Sequence, residues 1–320
     1  SKMLSVGEIY NYSIDIKNSV KVYLQICEPA GSSLSGPEKL WLSRISRIVA
    51  LRRYREHELG TLLLAVFRVC KSPKKRAEFL EALERHEVFS FIGKHEFSGT
   101  TDLILLAVKI VTGLLSIDDA LLLLKREAEE FSVSPVLKKR LGTVGKDWGS
   151  YKWPFIRYFM FEYEQFLLAR SKTNRSKLAW DRFTEEDYHS DYVTIEHIYP
   201  QKADDSWSDF RRYRVKQRNI LRHSLGNLLA LSRRKNSSLS NKSFAEKKAS
   251  ADGVVGYSNG CYSEIEVSRC NEWSAVAITT RSLTLLKFFE VRWGVKLGSD
   301  EEKLAMLGLG FMWNEIACRK

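Results

Sequence analysis

VTIEHIYPQK, residues 193–202, decides how the second half of the chain is read. Val193, Thr194 and Ile195 favour a strand. Glu196 and His197 then stand side by side, and Pro200 forces a turn. Neighbours in a strand point to opposite faces. An acid and an imidazole can therefore serve one point only if the strand ends there and the chain twists. Downstream, LGNLLAL at 225–231 reads as a second strand containing Asn227. A lysine-rich helix is predicted over 236–250, with Asn236 near its start. Strand, long basic connection (202–224), strand and helix make a small ββα unit with a polar group at each critical place.

These residue types suit one chemistry. Hydrolysis of a phosphodiester needs a base for water and a cation for the charge on phosphate and leaving oxygen. Histidine, with an ordinary pKa of about 6.5, is a competent base near neutrality. An asparagine across the strand pair can hold its second ring nitrogen. A carboxylate and an amide oxygen are hard ligands suited to Mg²⁺.

The rest of the chain sets limits. Its 320 residues, 44% hydrophobic, are enough for a sizeable core and two domains. The net charge of +12 points to an acidic polymer, nucleic acid first. None of the five cysteines forms a C-x-x-C pair, which argues against a zinc site of that kind and suits a reducing cytosol. The longest apolar run, LILLAVKIVTGLL at 103–115, is too short to span a bilayer and contains Lys109, so no membrane is expected. SKMLSVGEIY at the start lacks the apolar core of a secretory signal. A cytoplasmic protein is expected, with Ser1-Lys2 before Met3 raising the expectation of a piece of something longer.

Alternating apolar residues around Asn18-Ser19 predict a hairpin within 6–27, and PAGSSLSGP at 29–37 a linker. Helical spacing follows at 38–55, 57–71, 74–90, 101–114 and 117–131, the last opened by a Ser116/Asp119 capping box. A break falls at 141–153, and Pro154 suits the first turn of a helix. On that helix Phe155, Phe159, Tyr163 and Phe166 share one face, which reads as core. Further helices are predicted at 272–293 and 300–315. The expected organisation is an N-terminal hairpin and linker (1–37), a helical domain (38–145) and a catalytic domain (146–320). His189, Asp191 and Tyr192 fit no ligand spacing, and His57, His86 and His95 have no partners in sequence.

The motif EHIYPQ … LGNLLALSRRKNSSLSNKSFAEKK resembles the HNH, or His-Me finger, nucleases. More narrowly it resembles the C-terminal nuclease domain of the GmrSD-type, modification-dependent restriction enzymes. The likeness extends to WSAVAITTRSLTLLKFFEVRW, 273–293, which is similar to that domain's trailing helix, and the helical stretch 57–92 resembles the linker region of such proteins, so that the likeness covers most of 57–293. The resemblance implies an α+β fold, mostly α-helical, with a C-terminal ββα-metal (HNH) nuclease core embedded in helices. It implies a divalent-metal-dependent endonuclease that nicks or cleaves foreign or phage DNA with Mg²⁺ or Mn²⁺. By position, His197 would be the general base, with Glu196 and Asn236 as metal ligands and Asn227 orienting His197. Asn241 and Lys242 match the family's trailing N-K and would support metal or phosphate, and Lys247 is a weaker candidate of that kind.

In the connection, Arg211, Arg212, Arg214, Lys216, Arg218 and Arg222 surround Tyr213 where a phosphate backbone would run, so DNA contact is expected there. Trp207 suits base stacking or core equally. The family's nucleotide-dependent sensor motif, of the D-G-x-Q-R type, is absent, as is G-x-x-x-x-G-K-[ST]. A sensor domain or partner subunit outside this chain is therefore an expected partner beside DNA. A homodimer would supply the second site that double-strand cleavage needs. Two other readings stay open: a basic DNA-binding module that no longer cuts, and an RNA-cleaving toxin.

Overall fold

Ser5 starts the first helix. Its hydroxyl accepts from the Glu8 backbone N–H, and the Glu8 carboxylate returns to the Ser5 N–H. The computed structural model describes residues 5–29, 31–52, 55–93, 96–97, 101–143, 149–172, 194–250, 253 and 255–318. The fold is mostly helical with one two-stranded sheet, an α+β architecture. It divides into two units, 1–131 and 132–320.

In the first unit, α1 (Val6–Cys27) replaces the hairpin expected over 6–27. Asn18-Ser19 lacks the glycine that a tight hairpin turn prefers, and Ser19 instead bonds back to the Asp15 carbonyl within the helix. Arg68 crosses from a neighbouring helix to Asp15 and Ser19 and holds that turn. The linker composition gives a loop only to Ser35, because Pro37 takes the first turn of α2 (Gly36–Leu51). Then come α3 (Glu56–Val69), α4 (Pro73–Gly93), α5 (Leu103–Val111) and α6 (Ile117–Ser132), close to the predicted helices. At the start of α6 the Ser116 hydroxyl accepts from the Asp119 N–H, the forward half of the expected capping box, and donates to the Asp119 carboxylate.

Leu42, Ile45, Leu59, Leu62, Val66, Phe79, Leu83, Leu106 and Leu124 form one apolar core. At its end lies a buried polar network. Glu87 bridges Arg52 and Arg55, and His86 sits between Glu87 and Glu127. Burial would push the Glu87 carboxyl up, but His86, Arg55 and Arg52 together hold it down at about 2.

The second unit opens with α7 (Pro135–Thr143), a 3₁₀ turn (Gly149–Lys152) and α8 (Ile156–Arg170). Pro154 lies two residues ahead of α8, not in its first turn. The aromatic face of α8 is core, as its spacing predicts. Phe159 packs on Phe288 and Trp293 at ring separations of 5.6 and 6.1 Å. Strands β1 (Thr194–His197) and β2 (Leu228–Leu231) pair antiparallel, with Glu196 opposite Leu229 and His197 opposite Leu228.

The connection between the strands is not an open loop. It holds a 3₁₀ segment (Asp205–Arg212) and α9 (Val215–His223), because Asp204 caps the first and Trp207, Phe210 and Leu221 bury beneath the charges. Leu225–Asn227 is a 3₁₀ turn, so Asn227 precedes the second strand instead of lying in it. The single lysine-rich helix predicted at 236–250 is two short ones, α10 (Arg233–Leu239) and α11 (Phe244–Lys248). They part at Ser240, whose φ is +39°, and Ser243 with Glu246 caps the second.

A 3₁₀ turn (Tyr257–Asn259), α12 (Tyr262–Ser268) and α13 (Ala275–Trp293) follow. The last predicted helix breaks into α14 (Asp300–Met306) and α15 (Trp313–Ala317) around Gly308 and Gly310. Among the described residues no helix is long and apolar enough to cross a membrane.

Candidate active site at the end of β1

β1 stops at His197, and Ile198, Tyr199 and Pro200 turn away from the sheet. Asn227 makes that corner. Its Oδ1 accepts from the Tyr199 N–H (2.8 Å) and from Trp273 Nε1–H (2.9 Å). Its Nδ2 donates to the Tyr199 and Arg222 carbonyls at 3.0 and 2.7 Å. An asparagine amide has two acceptor positions and two donors, so the group is fully used. The expectation that Asn227 orients the His197 ring is corrected accordingly. It braces the backbone beyond His197, and its fully buried amide has no bonding capacity left for the imidazole.

Lys247, from α11, reaches the same corner from below. Its ammonium donates to Glu196 Oε1 at 2.5 Å and to the His197 and Ile198 carbonyls, both at 3.1 Å. Three donors meet three acceptors, which is what makes a fully buried lysine tolerable. Tyr257 adds a hydroxyl to Glu196 Oε1 at 3.2 Å. Both side-chain bonds fall on Oε1. Burial pushes the Glu196 carboxyl up, and Lys247 pulls it back.

His197 is buried, and its Nε2 lies 3.0 Å from Nδ1 of His223, the last residue of α9. Its Nδ1 lies 3.4 Å from the Gln201 amide nitrogen. Tyr151 covers both imidazoles, with its ring 4.5 Å from His197. The turn carrying Tyr151 lies so close to α9 that a Cβ on Gly149 would fall 2.4 Å from the His223 carbonyl oxygen. Gly149 also has φ +51°, so glycine is required twice over. Burial, then the charges of His223, Lys247 and Arg222, take the His197 pKa down to about 3. Burial and Arg222 take His223 down to about 4. Both rings are neutral across the physiological range.

A cavity of about 260 Å³ opens here. Glu196, His197, Gln201, Lys202, Asn236 and Asn241 all line it. Adjacent strand residues thus reach one space because the strand ends between them and the turn. Asn236 and Asn241 arrive on either side of the Ser240 kink, with α10 packed on β1. Of the other predicted site residues, Lys242 is not on the lining and Lys247 lies behind Glu196. Among the described residues no three His, Cys, Asp or Glu side chains come together around a metal ion. The oxygen donors available are one carboxylate, Glu196, and three side-chain amides, Gln201, Asn236 and Asn241, a hard set that fits Mg²⁺ or Mn²⁺ with the remaining positions left to water and phosphate.

The six predicted DNA-contact cations divide. Arg222 is structural: it donates to the Pro200 carbonyl (2.9 Å) and the Tyr199 hydroxyl (3.2 Å) and lies over the Tyr199 ring. Arg218 donates to the Tyr213 carbonyl. Arg211 pairs with Asp205, and Arg212 with Glu315, both exposed. Arg214 and Lys216 are exposed at the start of α9. Trp207 is buried against Tyr199 and Phe210, which assigns it to the core and not to base stacking. His189, Asp191, Tyr192 and Val193 lie outside the described residues.

Sequence reasoning misses His223, Tyr151 and Gln201. Gln201 lies within the 193–202 motif and could be found there. His223 sits three residues before Gly226 in RHSLGN, and nothing in its spacing announces a partner 26 positions upstream.

Residues 139–288 match the family model described as GmrSD restriction endonucleases, C-terminal domain. The match spans β1, β2, α10 and α11 and most of α13, and it starts after the helical stretch 57–92. No curated protein and no solved structure matches the chain. The match supports a nuclease function of restriction-endonuclease type for this part of the chain. It is to the C-terminal domain of the GmrSD restriction endonucleases that residues 139–288 are similar.

Proposed function

We propose that the second unit is an HNH-type, divalent-cation-dependent DNA endonuclease. The observation that carries this reading is the single cavity at the end of β1, where Glu196, His197, Asn236 and Asn241 meet. His197 Nδ1 takes a proton from water and aims the hydroxide at phosphorus. Glu196 and Asn236, with Asn241 beside them, would hold the cation. When bound, that cation neutralises charge on the phosphate and the departing 3′ oxygen. Lys202, exposed on the rim, attracts the phosphate backbone. Burial keeps His197 neutral but also makes it a weaker base than a free imidazole, and a phosphate docked beside it raises its proton affinity by opposite charge. A single site of this kind cuts one strand, so nicking is the minimal activity, and a role in restricting foreign DNA accords with the family likeness.

The test is relaxation of supercoiled plasmid. Nicked circles are expected with Mg²⁺ or Mn²⁺ and none with a chelator. His197→Ala is expected to lose roughly 10²–10⁴ in rate, the usual contribution of a positioned general base. Equal nicking by wild type and variant, or none under either metal, would remove the hydrolytic reading and favour a DNA-binding module. Cleavage of RNA alone would favour the toxin reading.

The DNA path is tested by salt dependence. Arg214→Ala with Lys216→Ala is expected to weaken binding and to reduce the slope of log K against log salt by up to about 0.9 for each phosphate no longer neutralised. An unchanged slope would place the backbone elsewhere. Arg222→Ala does not serve this test, because it also unties the Pro200 carbonyl.

A further inference from the structure

We infer that His223 is the positioning residue for His197: its Nδ1 accepts from His197 Nε2–H and so turns the His197 Nδ1 lone pair into the cavity. The catalytic meaning of this assignment rests on the nuclease reading above.

The two nitrogens are 3.0 Å apart, and both imidazoles are more than nine-tenths buried. Two neutral rings in such contact share one proton: one nitrogen donates and the other accepts. That leaves two arrangements. If His223 donated, the His197 lone pair would be spent on His223 and Nδ1–H would face the cavity, where it could take no proton from water. If His197 donates, its Nδ1 is the accepting nitrogen on the cavity side. The Gln201 amide nitrogen, a donor, stands 3.4 Å from that Nδ1, which agrees with the second arrangement.

The surroundings hold His223 in place. It closes α9, and its carbonyl lies against Gly149 with no room for a side chain there. Tyr151 covers both rings, so neither can swing out without displacing it. Arg222, next in sequence, is anchored on Pro200 and Tyr199, which fixes the helix end against the His197 corner. Asn227, the group expected to orient His197, has no free hydrogen-bonding capacity. The charged groups facing His223 are Arg222 and Lys152, both cationic, which disfavour an imidazolium and keep it an acceptor.

The experiment uses ¹⁵N-labelled full chain and long-range ¹H–¹⁵N correlation of its six histidines, with His197 assigned by substitution. His223→Asn puts a carbonyl oxygen where Nδ1 stood. His223→Phe keeps a ring and removes the acceptor. In wild type, His197 is expected as the Nε2–H tautomer with an unprotonated Nδ1. His223→Asn is expected to keep that tautomer and most of the nicking rate. His223→Phe is expected to mix the tautomers and to cost roughly 10–100-fold in rate, as removal of an orienting partner typically does. A wild-type His197 in the Nδ1–H form overturns the proposal, as does an unchanged tautomer in His223→Phe. If His223→Phe does not fold, wild type and His223→Asn decide between the two forms. A tautomer shift without nicking in any preparation leaves the orienting role standing and removes the hydrolytic one.

Discussion

Lys247→Met is expected to destabilise the second unit by about 3–5 kcal/mol, the range for breaking a buried ion pair by removing one partner. It is also expected to abolish plasmid nicking. The physical reason is what stays behind. Glu196 loses the ammonium that offsets its burial, and the His197 and Ile198 carbonyls lose their shared donor. Methionine fills the same stem volume, so the loss measures charge and hydrogen bonds more than a cavity. The carboxyl, already pushed up by burial, moves further up, toward its protonated form. A protonated Glu196 is no cation ligand. The pair itself need add little net stability, because desolvating two ions offsets much of their attraction; its role is to hold Glu196 in one place.

A double-mutant cycle separates these effects. Adding Glu196→Gln to Lys247→Met removes the stranded charge and should recover part of the stability while activity stays lost. Denaturant unfolding measures the first, and plasmid relaxation the second. A Lys247→Met protein within about 1 kcal/mol of wild type would show that the ammonium is not the counter-ion of Glu196.

Gly226→Ala is the second large effect, expected to cost about 3 kcal/mol or to prevent folding of the unit, at the upper end of overpacking penalties. A Cβ on residue 226 would lie 2.0 Å from the Ile278 carbonyl oxygen and 2.7 Å from the Ser282 nitrogen. Both are backbone atoms of α13, which cannot yield like the tip of a side chain. The close approach is used: the Gly226 N–H donates to Ser282 Oγ at 2.9 Å, and Arg281 Nη1 donates to the Gly226 and Leu228 carbonyls at 2.7 and 2.8 Å. Moving residue 226 moves Asn227, whose four bonds set the corner after His197. Loss of activity should therefore accompany loss of stability. A Gly226→Ala protein as stable as wild type in urea would mean that α13 does not seat here as described.

The helices of the first unit are legible because apolar residues recur at helical spacing and Ser116 and Asp119 mark a start. Residues 6–27 mislead because alternation around Asn18-Ser19 imitates a hairpin. Ser5 and Glu8 close the cap, and Arg68, 53 positions from Asp15, binds the turn from another helix. Propensity carries no information about such a contact. The same holds for 202–224, where the density of arginine and lysine hides the few apolar residues that bury. In the site, the acid, the histidine and the two asparagines of α10 and its kink can be picked out by type and order. Asn227 stands out by type as well, but its partners include backbone groups of Tyr199 and Arg222, which no side-chain pattern displays.

By itself the sequence determined the chemical inventory: a strand that must stop at Pro200, an acid and an imidazole at its end, and amides downstream. Those follow from residue type and local spacing. Only the tertiary structure decided which groups meet. It turned Glu196 and His197 into one cavity through the Asn227 brace and set Lys247 beneath the carboxylate. It also brought His223 to 3.0 Å from His197. Each of these depends on a short-range force between residues 26 to 51 positions apart, and at that separation only the folded chain fixes the distance.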